Sequence, residues 1–272
     1  AVALPRSPMH LAYLAQDLQR ASGGRFSLGL GTQVRAHVTR RFGGTWESPV
    51  EQLREWVRAV RAIQRSWATG EPLDFVGRWT QHTYCPPLFV PPPAPAAPIL
   101  LGALGPRMTA MAVEEADGLL VHPFNTVASV AAMLADVPAA FPVVGQAVVA
   151  VTHDEAQLAE ARTAVRGLVG FYASTPAYRR VLDVHGWGEL QEELRALTRA
   201  GRWAELPAAE KGAKAIAFIP VMMPLWLVAV LVDEPLTPLA VASATTHALL
   251  LVGYASTTPL LASRRARPSR RT

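Results

Sequence analysis

Short apolar segments alternate with amphipathic helical segments over most of the chain. Leu11, Leu14 and Leu18, for example, have the spacing of one helix face, and Ser22-Gly23-Gly24 follows them as a stop signal. The apolar segments are residues 1–5, 26–31, 98–102, 119–121 and 141–151. They are apolar on both faces, as strands of a parallel sheet covered by helices are. The pattern therefore predicts an α/β fold with five strand–helix alternations.

Two architectures, a (β/α) barrel and a doubly wound sheet, fit this alternation. Gly29 and Gly31, at the end of the second apolar segment, lack the third glycine of the G-x-G-x-x-G dinucleotide fingerprint. Its absence favours a TIM-type barrel, in which function gathers at the C-terminal ends of the strands. Closure of a (β/α)8 barrel takes more strands than the five predicted here, so the barrel is expected to be incomplete.

The positive charge is concentrated at the end of the chain. The formal net charge is +5, and residues 1–262 sum to zero. A neutral body with a short basic tail lacks the basic face of a nucleic-acid-binding domain, so no nucleic-acid partner is predicted. The single cysteine, Cys85, excludes an intrachain disulfide and a Cys-based zinc cluster, and no metal site is predicted. The five tail arginines are Arg264, Arg265, Arg267, Arg270 and Arg271.

In a barrel, five segments that follow predicted strands would share one rim: residues 6–8, 31–33, 102–107, 122–124 and 152–153. Two of them are the more informative candidates for a site. Gly102 and Gly105 allow close approach of a ligand to the backbone, Pro106 begins a helix, and Arg107 adds a positive charge. Such a loop suits a phosphate or another anion, although an ordinary turn that uses glycine for its geometry has the same pattern. His122 lies between a strand and Pro123, where packing, capping and a site role are all open.

Three runs of residues resemble a known family. They are SGGRFSLGLGTQVRAHVTRRFG (22–43), LGALGPRMTAMAVEEADGLLVHPF (101–124) and FYASTPAYRRVLDVHGWGELQ (171–191). Over about residues 1–206 the sequence is similar to the luciferase-like monooxygenase superfamily and, within it, to the coenzyme F420-dependent oxidoreductases. The first two runs are typical of the superfamily, and the third, which contains Tyr178 through Trp187, is more specific to that group.

The resemblance implies a TIM barrel with a flavin or deazaflavin ring at the C-terminal rim. It implies hydride transfer between F420 and a small organic substrate, or oxygen activation if the cofactor is reduced FMN. It also implies a cytoplasmic enzyme and allows a homodimer. His122 would line the pocket mouth and is the one catalytic candidate. The cofactor-binding residues implied are Ser7, Gly31, Thr32 and Gln33 near the ring, and Gly102, Ala103, Gly105, Pro106, Arg107 and Met108 at the phosphate.

The chain departs from the family pattern at both ends. Family members usually carry two more strand–helix units before the position of Ala1, and an open barrel is expected to bind cofactor weakly or not at all without them. We divide the chain into a partial barrel (1–206), an apolar segment expected to be helical (207–262) and a disordered Arg-rich tail (263–272).

The apolar segment contains two uncharged runs, 215–232 and 239–262, each long enough for a membrane span. A membrane-associated or non-catalytic protein is the alternative that these runs raise. The other interpretation, a segment altered by a frameshift in the coding sequence and foreign to the barrel, is preferred because the family match ends abruptly before it.

Overall fold

Parallel strands lie side by side at the centre of the molecule, with helices packed against them. The computed structural model describes residues 1–208 and 251–256. Its main sheet has the order β1-β4-β5-β6-β7, and β2 and β3 form a separate pair. The strands are β1 (Leu28–Leu30), β2 (Phe75–Val76), β3 (Gln81–His82), β4 (Ile99–Ala103), β5 (Gly118–Val121), β6 (Val143–Val149) and β7 (Leu251–Ser256).

The register of the sheet aligns the apolar segments in chain order. Leu30 pairs with Leu101, Ala103 pairs with Val121, and β6 continues the parallel arrangement beside β5. Val2 forms a single parallel bridge with Gly31, so the segment 1–5 lies beside β1. The predicted α/β fold with a parallel sheet is confirmed, and all five predicted apolar segments contribute to it.

The described part of the chain contains seven α-helices, of which the last three follow one another after β6. Ser7 caps the first through a hydrogen bond from the Met9 N–H to its Oγ, and Gly70 ends the second with a left-handed φ of 76°. The helices are α1 (Pro8–Ala21), α2 (Pro49–Thr69), α3 (Pro106–Glu115), α4 (Val127–Leu134), α5 (Glu155–Ala173), α6 (Arg179–Asp183) and α7 (Gly188–Arg199).

Alternation along β4 separates two faces of the sheet. Ile99, Leu101 and Ala103 are buried in the main core, where they meet α1, α2 and α3. Leu100 and Gly102 project to the opposite face, because successive side chains of a strand point in opposite directions. A second cluster, formed mainly by α5, α6 and α7, packs around Phe124, just after β5.

The Pro-rich segment 71–98 is a surface excursion, as predicted, but it also contains the hairpin of β2 and β3. The Glu55 carboxylate on α2 accepts backbone N–H bonds from Arg78, Trp79 and Thr80, at 2.7–2.8 Å. A Cβ at Gly77 would overlap this carboxylate, so the glycine permits the approach. The turn is therefore attached to α2 by main-chain bonds that no pattern of apolar residues reveals.

The prediction of a helical segment over 207–262 is wrong at 251–256. Those residues form β7, which pairs antiparallel with β6 from Val144–Ser256 to Val149–Leu251. The unpaired edge of β6 offers N–H and C=O groups that a strand satisfies and a helix cannot. The other residues of the two uncharged runs and the tail lie outside the described residues. No helix among the residues described here combines the length and apolar composition needed to cross a bilayer.

Candidate active site

The C-terminal ends of the parallel strands meet at one rim of the sheet. Gly31 follows β1 and lies beside Val2 on one side and Gly102 on the other. His122 follows β5, one residue beyond the pairing of Ala103 with Val121. The structure thus brings together the segments after β1, β4 and β5 that the sequence analysis placed at a common site.

Two glycines leave a patch of bare backbone at this rim. A Cβ at Gly102 would lie 4.0 Å from the Gly31 Cα, so the two backbones are in close contact. A Cβ at Gly31 would meet no atom within 4 Å, so the space above it is open. Both residues belong to the face opposite the main core. We call this patch the glycine platform; a ligand can approach the backbone at Gly31, where no side chain lies within 4 Å of the Cβ position.

The residues around the glycine platform have different roles. The Ser7 side chain caps α1, with its Oγ accepting from the Met9 N–H at 3.2 Å. Thr32 donates its hydroxyl to the Gln33 carbonyl at 3.1 Å. Gln33 has a φ of 63°, in the left-handed region that costs a non-glycine residue about 1 kcal/mol. The loop after β1 is therefore held in an uncommon conformation beside the platform.

The loop between β4 and α3 presents an uncapped helix start. Gly105 is the N-cap of α3 and gives no side-chain hydrogen bond, so the first-turn N–H groups lack a capping side chain. Arg107 is exposed in that turn. Ala103 is buried, and Met108 is partly buried against the main core. The arrangement suits an anion at Gly105 and Arg107.

His122 is held in a defined orientation. The Phe124 backbone N–H donates to its Nδ1 at 3.2 Å, and its Nε2 lies 3.0 Å from the Tyr178 Oη. An amide N–H only donates, so Nδ1 is the acceptor and the ring proton of neutral His122 is on Nε2. His122 therefore donates to Tyr178.

Burial keeps this pair uncharged. Loss of solvent lowers the pKa of His122 from its ordinary value of 6.5 to about 4. The same effect, with a smaller contribution from the nearby Tyr172, raises the pKa of Tyr178 to about 12. Both side chains are neutral at neutral pH. His122, with Nδ1 occupied and a low pKa, is poorly suited to accept a proton from a substrate.

Aromatic rings surround His122. Its ring centroid lies 4.8 Å from Tyr172 in an edge-on arrangement and 4.7 Å from Tyr178. Phe124 lies 5.5 Å from Tyr178 in a second edge-on contact. We call Phe124, Tyr172 and Tyr178 the aromatic wall. It shields the rim after β5 from water on the side of α5 and α6.

Tyr178, in the α5–α6 connection, and Arg180, in the first turn of α6, reach the rim but were not among the predicted site residues. A Cβ at Gly105 would lie 3.7 Å from the Arg180 Nε, so this guanidinium lies beside the loop after β4. In the sequence, the run 171–191 resembles the F420-dependent group. This resemblance did not indicate which residues Tyr178 and Arg180 contact.

Comparison with known proteins assigns this chain to a family. The family model described as luciferase-like monooxygenase matches residues 1–219. An uncharacterised protein of Mycobacterium tuberculosis is 43% identical over 216 residues, which cover 75% of this chain and 64% of the relative. A 5,10-methylenetetrahydromethanopterin reductase of Archaeoglobus fulgidus is 30% identical over 212 residues, or 72% of this chain and 60% of that protein. The chain thus spans less than two thirds of the length of these relatives.

A solved structure has a similar fold. The coenzyme F420-dependent tetrahydromethanopterin reductase of Methanopyrus kandleri superposes with a TM-score of 0.53 at 21% identity, covering 75% of this chain and 63% of that one. This likeness concerns the fold, and it agrees with the barrel-type α/β arrangement predicted from the alternation of strands and helices.

Proposed function

The chain belongs to the luciferase-like monooxygenase family, and from this premise we propose that it is an oxidoreductase that binds coenzyme F420 at the rim of its parallel sheet. The observation that supports the proposal best is the glycine platform, with an uncapped helix start beside it. The platform offers bare backbone to a planar ring, and the loop from Gly102 to Met108 offers N–H groups and a positive charge to a phosphate. The name of the solved structure includes the same cofactor, coenzyme F420.

Bound F420 would supply a deazaflavin ring that takes up or gives a hydride. Gly31 and Gly102 would let the ring lie against the backbone, and the loop after β1, with Thr32 and Gln33, would border it. Arg107 and the first turn of α3 would hold the phosphate. The aromatic wall would exclude water, while neutral His122 would orient Tyr178 rather than move a proton itself.

The substrate class proposed is a small organic alcohol, aldehyde or reduced carbon compound. Hydride transfer to or from such a carbon needs close contact with the ring, and the open space above Gly31 provides room for that contact. A homodimer and a cytoplasmic location remain predictions from the resemblance.

A reduced-FMN monooxygenase is the second candidate, because the matching family model carries the monooxygenase description. FMN also combines a planar tricyclic ring with a ribityl phosphate, so the same platform and loop would hold it. The two cofactors differ in their absorption spectra, which separates the candidates directly.

Titration of the full chain with F420 and, separately, with FMN tests the proposal. The fluorescence of each ligand reports its binding. Saturable binding of F420 in preference to FMN is expected. In Gly31→Val the new side chain fills the open space above the platform, so the dissociation constant for F420 should rise about tenfold or more, a loss of about 1.4 kcal/mol.

The fold of Gly31→Val should be unchanged, because a Cβ at that position meets no neighbouring atom. Ala96→Val, an added side chain on the exposed Pro-rich segment, is the matched control and should bind as the original chain does. Tighter binding of reduced FMN would favour the monooxygenase. If neither cofactor binds saturably, both proposed enzyme activities are refuted and a non-catalytic protein is favoured.

A further inference from the structure

We propose that Tyr178 and Arg180, two residues from outside the strand ends, bind the anionic side chain of the cofactor, and that His122 is the positioning residue that aims the Tyr178 hydroxyl. The inference rests on the proposed function, since it assigns further residues to the same site. F420 carries a phosphodiester and carboxylates on its ribityl side chain, so this end of the molecule needs donors and positive charge.

The first observation is the direction of the bond between His122 and Tyr178. The Phe124 N–H fixes the proton of His122 on Nε2, and that proton is donated to the Tyr178 Oη. Tyr178 therefore accepts from His122 and keeps its own hydroxyl proton for another acceptor. Among residues 1–208 and 251–256, His122 is the one hydrogen-bond partner of that hydroxyl. A half-buried donor without an acceptor in the protein is suited to a ligand oxygen.

The second observation is the contrast between two consecutive arginines. Arg179 pairs with Asp183 and with Glu192, its Nη1 lying 2.6 Å from the Glu192 carboxylate. Arg180 has no ion pair within the described part of the chain, and its Nε lies 3.7 Å from the Cβ position of Gly105. One guanidinium is neutralised by the protein, and the other faces the loop proposed for the phosphate with its charge available.

The third observation is that one short segment reaches two strand ends. Tyr178 ends the turn Pro176–Tyr178 and contacts His122, which follows β5; Arg180, two residues on, adjoins Gly105 in the loop after β4. A hydroxyl donor and a cation therefore converge on neighbouring parts of the rim. Arg107, in the first turn of α3 after the same loop, adds a further cation there, and phosphate oxygens bind guanidinium and hydroxyl donors well.

Comparison of F420 with its phosphate-free chromophore, 8-hydroxy-5-deazariboflavin, isolates this interaction. In the full chain, Arg180→Gln should weaken F420 binding about tenfold, and Tyr178→Phe about fivefold, because each removes a hydrogen bond to a charged group. Affinity for the phosphate-free chromophore should not change in either variant. A merely structural role would lower both affinities together.

Matched variants test the specificity of the effect. Arg162→Gln removes an exposed arginine of α5, and Tyr84→Phe removes an exposed hydroxyl of the Pro-rich segment; neither should alter the ratio of the two affinities. His122→Gln retains an N–H donor and should keep most of the preference for F420, whereas His122→Leu should lose as much of it as Tyr178→Phe does.

Two failures are distinguishable. If the original chain binds neither ligand, the proposed function is refuted and this inference with it. If the chain binds F420 but Arg180→Gln and Tyr178→Phe leave the ratio of affinities unchanged, the inference alone is overturned. Equal losses for F420 and for the phosphate-free chromophore would also overturn it, since they indicate a structural role.

Discussion

Lowering the pH from about 7 to about 4.5 is expected to reduce the free energy of unfolding by about 2 kcal/mol through His122 alone. The folded-state pKa of His122 is about 4, while the unfolded chain takes up the proton near the ordinary value of 6.5. Between these values the unfolded state binds more protons, so stability is fully present above pH 6.5 and is lost as the pH falls. Urea denaturation at several pH values measures the effect.

The control for this prediction is a second histidine with a pKa lowered in the same direction. Burial lowers the pKa of His82, which lies in the hairpin far along the chain from His122. In His122→Gln the free energy of unfolding should change little between about pH 7 and about pH 4.5. In His82→Gln most of the pH dependence of the free energy of unfolding should remain. A His122→Gln variant whose stability falls as steeply as that of the original chain would show that this ring is not buried as a neutral base.

Glu55→Ala is expected to lower the free energy of unfolding by about 3 kcal/mol. The carboxylate accepts three backbone N–H bonds from the turn 78–80 at 2.7–2.8 Å, and hydrogen bonds to a charged group are among the stronger ones in proteins. Because solvent partly reaches the turn, the loss of unfolding free energy is expected to be smaller than the summed contributions of three such hydrogen bonds. Urea denaturation measures the change, and faster amide exchange at residues 78–80 should accompany it.

Glu71→Ala is the matched control, because Glu71 is exposed just after α2 and its removal should change stability by no more than about 0.5 kcal/mol. The free energy of unfolding of Glu55→Gln should lie between those of Glu55→Ala and Glu71→Ala. Its amide oxygen can still accept a hydrogen bond, while its NH2 group faces a backbone donor. Equal stability of Glu55→Ala and Glu71→Ala would contradict the role assigned to this carboxylate.

The parts of the fold that sequence predicts well are those set by local pattern. The helices α1, α2 and α5 begin at Ser7-Pro8, Ser48-Pro49 and Asp154, where capping residues or proline signal a start. Gly31, Gly102 and His122 were placed at one rim because the C-terminal ends of parallel strands meet. These inferences need only the spacing of apolar residues and the direction of the chain.

The parts that sequence did not predict depend on contacts between distant residues. Tyr178 contacts His122, which is 56 residues away in the sequence, and Glu55 contacts the hairpin turn, which is about 25 residues away. The strand β7 lies in a run whose composition suits a buried helix equally well, and only its pairing with β6 decides between them. Ser7 is both the N-cap of α1 and a predicted neighbour of the cofactor ring; the structure shows the cap, and the cofactor contact stays a prediction.

Hydrogen–deuterium exchange of the full chain with and without F420 tests the site most directly. Binding at the glycine platform should slow exchange in peptides that contain residues 31–33, 102–108 and 122–124, where backbone N–H groups would contact or lie beneath the cofactor. Peptides of α7 and of the hairpin 75–82 should be unaffected. Protection confined to segments away from the strand ends, at F420 concentrations that saturate the chain, would contradict the account.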